Sequence, residues 1–426
     1  MPADTIFALS SGRPPAAISV IRISGPKAHE AGGRIAGRLP EPRTAAVREL
    51  RDPGSGELLD QGLVLRFDSP ASSTGENIIE FQCHGGRAVV DALLAVLTSL
   101  EGLRVAEPGE FTRRAFENGR IDLTEAEGLA DLIEAETESQ RRAALALAEG
   151  GLRKQIAQWQ ERLLGLSAEV ERAIDYDEDD EAVNPALGGA CAALATELRL
   201  WLDRPRAERL KDGVRVVVAG PPNAGKSSLL NVIVGEERAI VTDLPGTTRD
   251  HIEVPLSLAG VPIVLTDTAG LRESSDRIEA IGIARAGSLI ESADVLVWLG
   301  DPDEAPPHPR TIRVHAKADL PERGEVPADS IAVSAITGGG LRRLSHHIAM
   351  CAKTLLPAED AIALNRRQAE QLAAAEAALQ GASHSNDLVM SAEHIRIARL
   401  AFDRLTGHAG VEDVLDALFA RFCLGK

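Results

Sequence analysis

The run Gly220-Pro221-Pro222-Asn223-Ala224-Gly225-Lys226-Ser227 constrains this chain more than any other stretch, because GxxxxGK[ST] demands a strand, a tight loop and a helix in that order. The apolar run Val214–Ala219 stands before it, and a helix is expected to start near Ser228, so both flanks match. In such a loop the backbone N–H groups and the helix N-terminus cradle phosphates, Lys226 reaches the β and γ oxygens, and the Ser227 hydroxyl can ligate Mg2+. A glycine turn with a chance lysine would not bring a strand and a helix with it.

Two further stretches stand at the distances expected of a GTPase. Gly246-Thr247-Thr248-Arg249-Asp250 follows the loop by about 20 residues, where a threonine, here Thr248, closes over Mg2+ and the γ-phosphate as a switch, and Thr242, Asp243, Leu244 and Pro245 before it are counted among the nucleotide contacts. Asp267-Thr268-Ala269-Gly270 ends the apolar strand Ile263-Val264-Leu265, which makes Asp267 the outer-sphere Mg2+ carboxylate and aims the Gly270 N–H at the γ-phosphate. For the base, Ala316-Lys317-Ala318-Asp319 occupies the place of a guanine-reading NKxD, with Ala316 where asparagine is expected; Asp319 can still accept from guanine donors. Ser334-Ala335-Ile336 matches the loop that completes the base pocket, so the nucleotide is read as GTP and the remaining contacts as Asn223, Ala224, Gly225 and Ser228. The order of these motifs is that of a Ras-like fold. Leu271 replaces the Ras-type glutamine after Gly270, which leaves Glu279 as the main candidate to orient water, and Arg272, Arg277 and Arg249 as alternatives for charge stabilisation.

A length of 426 residues corresponds to roughly three domains at about 150 residues each. Residues 1–117 mix β-branched runs such as Ala17–Ile23 and Gly62–Phe67 with Gly and Pro, as an α/β unit does. Residues 118–211 are helical in texture, with apolar positions at Ile156, Trp159, Leu163 and Leu166, and contain after Ile174 the acidic run Asp175–Glu181, read as a solvated loop or helix end. Strand and helix alternate over 212–355, and helical texture returns over 356–426. The expected architecture is therefore multidomain α/β plus all-α: an N-terminal α/β domain, and a helical bundle domain into which a P-loop domain is inserted.

Aromatic residues make up only 3%, so Ala and Leu are expected to fill the interior through many small contacts rather than ring anchors. Cys83, Cys191, Cys351 and Cys423 show no metal-binding spacing, and no apolar run reaches the roughly 18 residues of a membrane span. A cytoplasmic protein without a membrane partner is expected. With 46 Lys and Arg against 64 Asp and Glu, the net charge is −18, which argues against a chain that coats nucleic acid through its global field.

Motifs spread along the whole chain resemble those of the tRNA-modification GTPases of the MnmE or TrmE family. They are Asp4-Thr5-Ile6-Phe7-Ala8, Val20–Gly25, Thr74-Gly75-Glu76, His84-Gly85-Gly86, Pro108–Thr112, Ile121-Asp122-Leu123, Thr247–Asp250 and the terminal Cys423-Leu424-Gly425-Lys426. The resemblance implies a potassium-activated GTPase that modifies C5 of the wobble uridine of certain tRNAs, adding a carboxymethylaminomethyl-type group. It implies a flavoprotein partner, MnmG or GidA, which brings FAD and NADH, and a one-carbon folate, 5,10-methylene- or 5-formyltetrahydrofolate. A homodimer, joined through the N-terminal domain and assembling with the partner into a heterotetramer or larger complex, is implied as well. Arg22, Glu80, Arg120 and Lys426 are the folate residues by this resemblance, with Arg120 where the family often has lysine. Asn223, Thr242, Leu244 and Thr247 are the K+ ligands, Pro245 lies in the same loop, and G domains of a dimer meet face to face, which positions Glu279. Cys423 stands in the tail that the family places beside the folate; a thiolate there could serve nucleophilic attack on uridine, or the partner could supply it.

Two rival readings stand. A ribosome-assembly GTPase would carry a basic RNA-binding appendage such as a KH-type GxxG clamp, and Gly338-Gly339-Gly340-Leu341 belongs instead to the base-pocket loop. A folate-binding protein with a purely regulatory G domain is the other. Binding of tRNA to so acidic a chain requires a local surface, for which Arg113-Arg114, Arg141-Arg142 and Arg366-Arg367 are the basic pairs in sequence, and weak binding by the chain alone is expected.

Overall fold

The computed structural model describes residues 4–176, 185–236, 253–267, 287–358, 361–410, 412–422 and 424–425. The chain divides into two compact units: residues 1–130, 148–156 and 403–426 form one, and residues 131–147 and 157–402 the other.

The first unit is built on a six-stranded sheet in the order β3-β4-β5-β2-β1-β6, with β1 Thr5–Leu9, β2 Ile18–Ser24, β3 Ala46–Arg51, β4 Leu58–Phe67, β5 Ile78–His84 and β6 Leu103–Val105. Neighbours run antiparallel except β1 and β6. Side chains alternate between faces along a strand, and β2 sends Ile21 and Ile23 to the same core as Phe7, Ile79 and Phe81. That core is closed by the apolar stripes of α1 Ala28–Ala36 and α2 Arg87–Ser99, through Ala28, Ala31 and Ile35 and through Val90, Leu93 and Leu97. Ile6 and Ala8 turn to the other face and meet Ala106 and Phe111, the latter on α3 Glu110–Glu117.

Helices follow: α4 Leu123–Glu134, α5 Glu138–Ala148, α6 Gly151–Tyr176, α7 Pro185–Leu202 and α8 Glu208–Asp212. After the nucleotide-binding segment come α11 Arg366–His384 and α12 Leu388–Thr406, then α13 Glu412–Phe419. Asp122 and Glu125 start α4 as a capping box, each carboxylate bonding the other's backbone N–H at 2.8 Å. Asn365 and Gln368 do the same for α11. Ile156, Trp159, Leu163 and Leu166 are buried as their spacing predicts. The expectation of a core without ring anchors does not hold here. Trp159, fully buried, meets Trp201 edge-on at 5.3 Å and stacks on Phe402 at 6.0 Å. Composition counts rings but cannot say that three of the few lie at one point.

The second sheet has the order β12-β11-β10-β7-β9-β8, from β7 Val214–Ala219, β8 Glu253–Leu258, β9 Val261–Asp267, β10 Val295–Trp298, β11 Thr311–Ala316 and β12 Ser330–Val333. All pairs are parallel except β8 with β9. The strands are nearly continuous apolar runs because α9 Lys226–Glu236 and α10 Leu341–Lys353 help to cover a parallel sheet that must be buried on both faces. Ala207 N–H donates to Leu364 O at 3.1 Å, so the chain enters and leaves this α/β segment at one place. That closeness is what lets a domain sit inside another without disrupting it.

No helix among the described residues is long and apolar enough to cross a membrane.

Candidate functional site

The loop after β7 has the geometry that phosphate binding requires. Gly220 (φ +149°), Asn223 (+60°) and Gly225 (+99°) take positive φ, which folds the backbone N–H groups inward. A side chain at Gly220 would press on Leu299 and Gly300 at 3.2–3.3 Å. The helix begins at Lys226, two residues earlier than expected, because the loop's left-handed backbone ends at Gly225; Lys226 and Ser227 thus lie in the first turn, where free N–H groups attract anions. Lys226 is 7% exposed, and its Nζ donates to Gly220 O and Pro221 O at 2.9 Å each, across the mouth of the loop.

Ser227 Oγ donates to Asp267 Oδ2 at 2.6 Å, joining the start of α9 to the end of β9. A hydroxyl and a carboxylate at this spacing form a hard oxygen set of the kind Mg2+ prefers. Lys317 has φ +59°, and its Cε would lie 3.7 Å from a Cβ on Gly225, so the candidate base-reading loop rests against the phosphate loop. Ala318 N–H donates to Val333 O at 3.1 Å, and Ser334 Oγ accepts from Ile336 and Thr337 N–H at 3.3 and 3.1 Å, fixing the second base loop. Ala316 packs in the core, and its carbonyl accepts from Arg323 Nε at 3.0 Å. Asp319 is exposed. Thr242 to Thr248, Thr268, Ala269, Gly270, Leu271, Arg249, Arg272, Arg277 and Glu279 lie outside the described residues, as do Cys423 and Lys426.

In the first unit, Arg22 and Glu80 are register partners on β2 and β5, and Arg22 Nε donates to Glu80 Oε1 at 2.8 Å. They stand on the sheet face opposite the α1–α2 core, with the Arg22 guanidinium 5.6 Å from the centre of the Phe111 ring. Their side chains are 25% and 16% exposed, so a ligand can reach a pre-oriented donor and acceptor beside an aromatic ring. Arg120 is exposed, its side-chain carbons within 3.4 Å of a Cβ placed on Gly75. The C-terminal tail comes to the same unit: Ser10 Oγ donates to Gly425 O at 2.8 Å, and any side chain at Gly425 would strike Leu9 O.

Sequence reasoning missed a buried arginine that gathers several of the quoted motifs. Arg114, with a side chain 9% exposed, donates to Asp4 O (2.7 Å), Asp4 Oδ1 (2.8 Å), Glu76 Oε1 (3.1 Å) and Glu110 Oε1 (3.0 Å). Ser24 Oγ reaches Glu76 Oε2 and Thr74 Oγ1 at 2.7 Å each. Hydrogen bonds from Arg104, joined by Arg114, hold the Asp4 carboxyl below its usual range. Burial works against ionisation of Glu110, yet Arg104, the Glu107 N–H and Arg114 together hold it below its usual range too. The sequence signals were the i,i+4 spacing of Glu110 and Arg114 on one helix, and the acids Asp4 and Glu76 in separate motifs with no cation within a helical turn of them.

The pairs Arg113-Arg114 and Arg141-Arg142 are engaged by carboxylates of this chain. Arg113 pairs with Glu117 and Asp416, Arg114 is buried as described, and Arg141 and Arg142 both bond Glu138. In each case the fold, or an i,i+3 or i,i+4 helix contact, supplies an acid that adjacent sequence positions do not reveal.

Fold and site together define a P-loop protein of the G-domain type, with that domain inserted in a helical domain behind an N-terminal α/β domain. The family model "MnmE helical domain" matches residues 123–423 and "GTP-binding protein TrmE N-terminus" matches residues 5–120. A protein of Erythrobacter litoralis named tRNA modification GTPase MnmE is 51% identical over 426 residues, 99% of this chain and 100% of its own. Relatives of the same name from Novosphingobium aromaticivorans (50% over 436 residues) and Zymomonas mobilis (51% over 432) also cover 99% of this chain and 100% of their own lengths. Among solved structures, the G domain of the T. maritima FeoB iron transporter is 27% identical, over 33% of this chain and 98% of its own, with a TM-score of 0.24. The chain belongs to the MnmE (TrmE) family.

Proposed function

We propose that this chain is a GTP hydrolase acting in tRNA modification, at C5 of the wobble uridine, together with a flavin-bearing partner and a one-carbon tetrahydrofolate. The observation that carries this reading is the phosphate loop, with Lys226 across its mouth and Ser227 beside Asp267, inside a chain about half identical end to end to proteins named for that activity. On this reading residues 1–117 bind folate and dimerise, 118–211 and 356–426 make the helical domain, and 212–355 hydrolyse GTP. Backbone N–H groups of Asn223 to Ser228 bind the phosphates, and Lys226 transfers its Nζ contacts from the loop carbonyls to the β and γ oxygens. Ser227 and Thr248 would hold Mg2+, with Asp267 behind them, and Mg2+ when bound neutralises charge on the β and γ oxygens. Lys317 and Asp319, with Ser334 to Ile336, enclose the base.

Asn223, Thr242, Leu244 and Thr247 offer oxygens for K+, the positive charge that an arginine finger supplies elsewhere, and Glu279 orients water. Folate takes the Arg22–Glu80 face. The second oxygen of Glu80 has no hydrogen-bond partner among the described residues and can accept from a pterin edge, while Arg22, already stacked on Phe111, presents guanidinium donors. Gly425 against Leu9 and Ser10, one strand position from the Ala8–Arg22 pair, supports a role for Lys426 at this face. Titration calorimetry with reduced tetrahydrofolate should give heat with the wild type and none with Arg22→Ala; equal heats would move the folate elsewhere.

Deletion of this gene in its host, followed by mass analysis of tRNA nucleosides, tests the function as a whole. The expected result is loss of the modified wobble uridine; an unchanged profile would remove the tRNA reading and favour a ribosome-assembly role.

A further inference from the structure

The exposed face of α10 is a feature that the GTPase reading does not use. The helix Leu341–Lys353 contains no acidic residue. Leu341, Leu344, Ile348 and Ala349 enter the core of the second sheet. Arg342, Arg343, His346, His347, Met350 and Lys353 are exposed. At 3.6 residues per turn these six fall within an arc of about 140°. Arg342 and Arg343 make no ion pair or hydrogen bond with any described residue.

Their place in the helix makes this arrangement more pointed. Both arginines lie in the first turn, where the helix dipole disfavours cations, and neither side chain nor cap offsets them: Gly340 has no side chain, and the first turn holds no acid. A surface that breaks a local rule without compensation is where function is to be sought. The contrast with Arg113, Arg114, Arg141 and Arg142, each of which bonds a carboxylate, marks this face out in a chain of net charge −18.

We propose that the Arg342–Arg343–His346–His347 face docks an RNA phosphate backbone. Guanidinium groups bond phosphate oxygens bidentately, and positions i and i+4 lie about 6 Å apart along the helix, so the arginine pair and the histidine pair present two successive rungs of donors. An acidic protein would meet the same charge, but Met350 is the only large apolar side chain exposed on this helix, too little for the apolar centre of a protein interface. The face begins directly after the Ser334–Gly340 loop that adjoins the base pocket, so RNA held here would lie beside the nucleotide-binding loops.

This inference rests on the reading of the chain as a tRNA-acting protein. The test is binding of a labelled tRNA transcript to the full-length chain over a series of KCl concentrations. Wild type is compared with Arg342→Glu/Arg343→Glu and, as control, Arg141→Glu/Arg142→Glu. The α10 variant should bind at least about tenfold more weakly near 0.1 M salt, with a salt slope lower by roughly 1 to 2, since each lost phosphate contact removes about 0.7 to 0.9. The control should stay within about twofold of wild type, and all three should hydrolyse GTP equally. Equal tRNA affinity in all three overturns the docking surface while the wobble-uridine profile still decides the function. Unchanged tRNA binding with loss of the flavoprotein complex in the α10 variant would instead assign the face to a protein.

Discussion

Lys226→Ala is expected to lower GTP turnover by at least about a hundredfold, the loss typical when a preorganised donor to developing phosphate charge is removed. Its ammonium is held 2.9 Å from two loop carbonyls, Gly220 O and Pro221 O, on the rim of the cradle rather than in solvent. Alanine deletes the charge but leaves the turn glycines and the apolar flanks of β7 and α9 in place, so the protein should fold. Turnover within threefold of wild type would mean that the loop does not act on phosphate through this residue. The variant should be equally poor in KCl and NaCl. Wild type should run more than about tenfold faster in KCl, about 1.4 kcal/mol of barrier; equal wild-type rates in the two salts would remove the K+ site.

Arg114→Ala is the second large effect, and it falls on stability. The substitution strands Glu76, whose side chain is 14% exposed, without its cation and leaves Glu110, 11% exposed, to Arg104 alone. Breaking such a buried cluster from one side costs about 3 to 5 kcal/mol. Denaturant unfolding of the N-terminal unit should show this, and a change below about 1 kcal/mol would mean that Arg104 alone carries the network. Acid gives a second readout. Asp4 and Glu110 have folded-state carboxyls below their ordinary range, so the stability they contribute is present above the unfolded values, near 4. It is lost as pH falls through the lower folded values. Below about pH 4 the wild type should therefore lose stability more steeply than Arg114→Ala, which lacks part of that linkage.

The two large effects also differ in how they could be foreseen. Lys226 is legible from eight consecutive residues, because a phosphate loop is a local object: its glycines, lysine and hydroxyl meet within one turn of chain. Arg114 is not. It sits in a helix beside Arg113 and looked like half of a basic pair for RNA. One partner, Glu110, is its i−4 neighbour on the helix, but Asp4 and Glu76 come from two distant motifs that only the folded sheet and α3 bring within 3.1 Å.

The same division runs through the molecule. Strand, loop and helix at the nucleotide site, the alternation of α/β and helical texture, and the family motifs were determined by residue order, since propensity, periodicity and short spacings act over a few turns of backbone. The sequence placed Arg22 and Glu80 at one site only through resemblance; strand pairing makes them direct neighbours with a 2.8 Å bond. The bonds of Arg114 to Asp4 and Glu76 and of Arg113 to Asp416 were decided by tertiary structure, whereas those of Arg141 and Arg142 to Glu138 are local helix pairs. Screening and pairing depend on the acid within about 4 Å in space, and adjacent positions in the chain do not report it. The net charge of −18 is a property of the sequence. That Arg342 and Arg343 on α10 meet no acid among the described residues is a property of the fold.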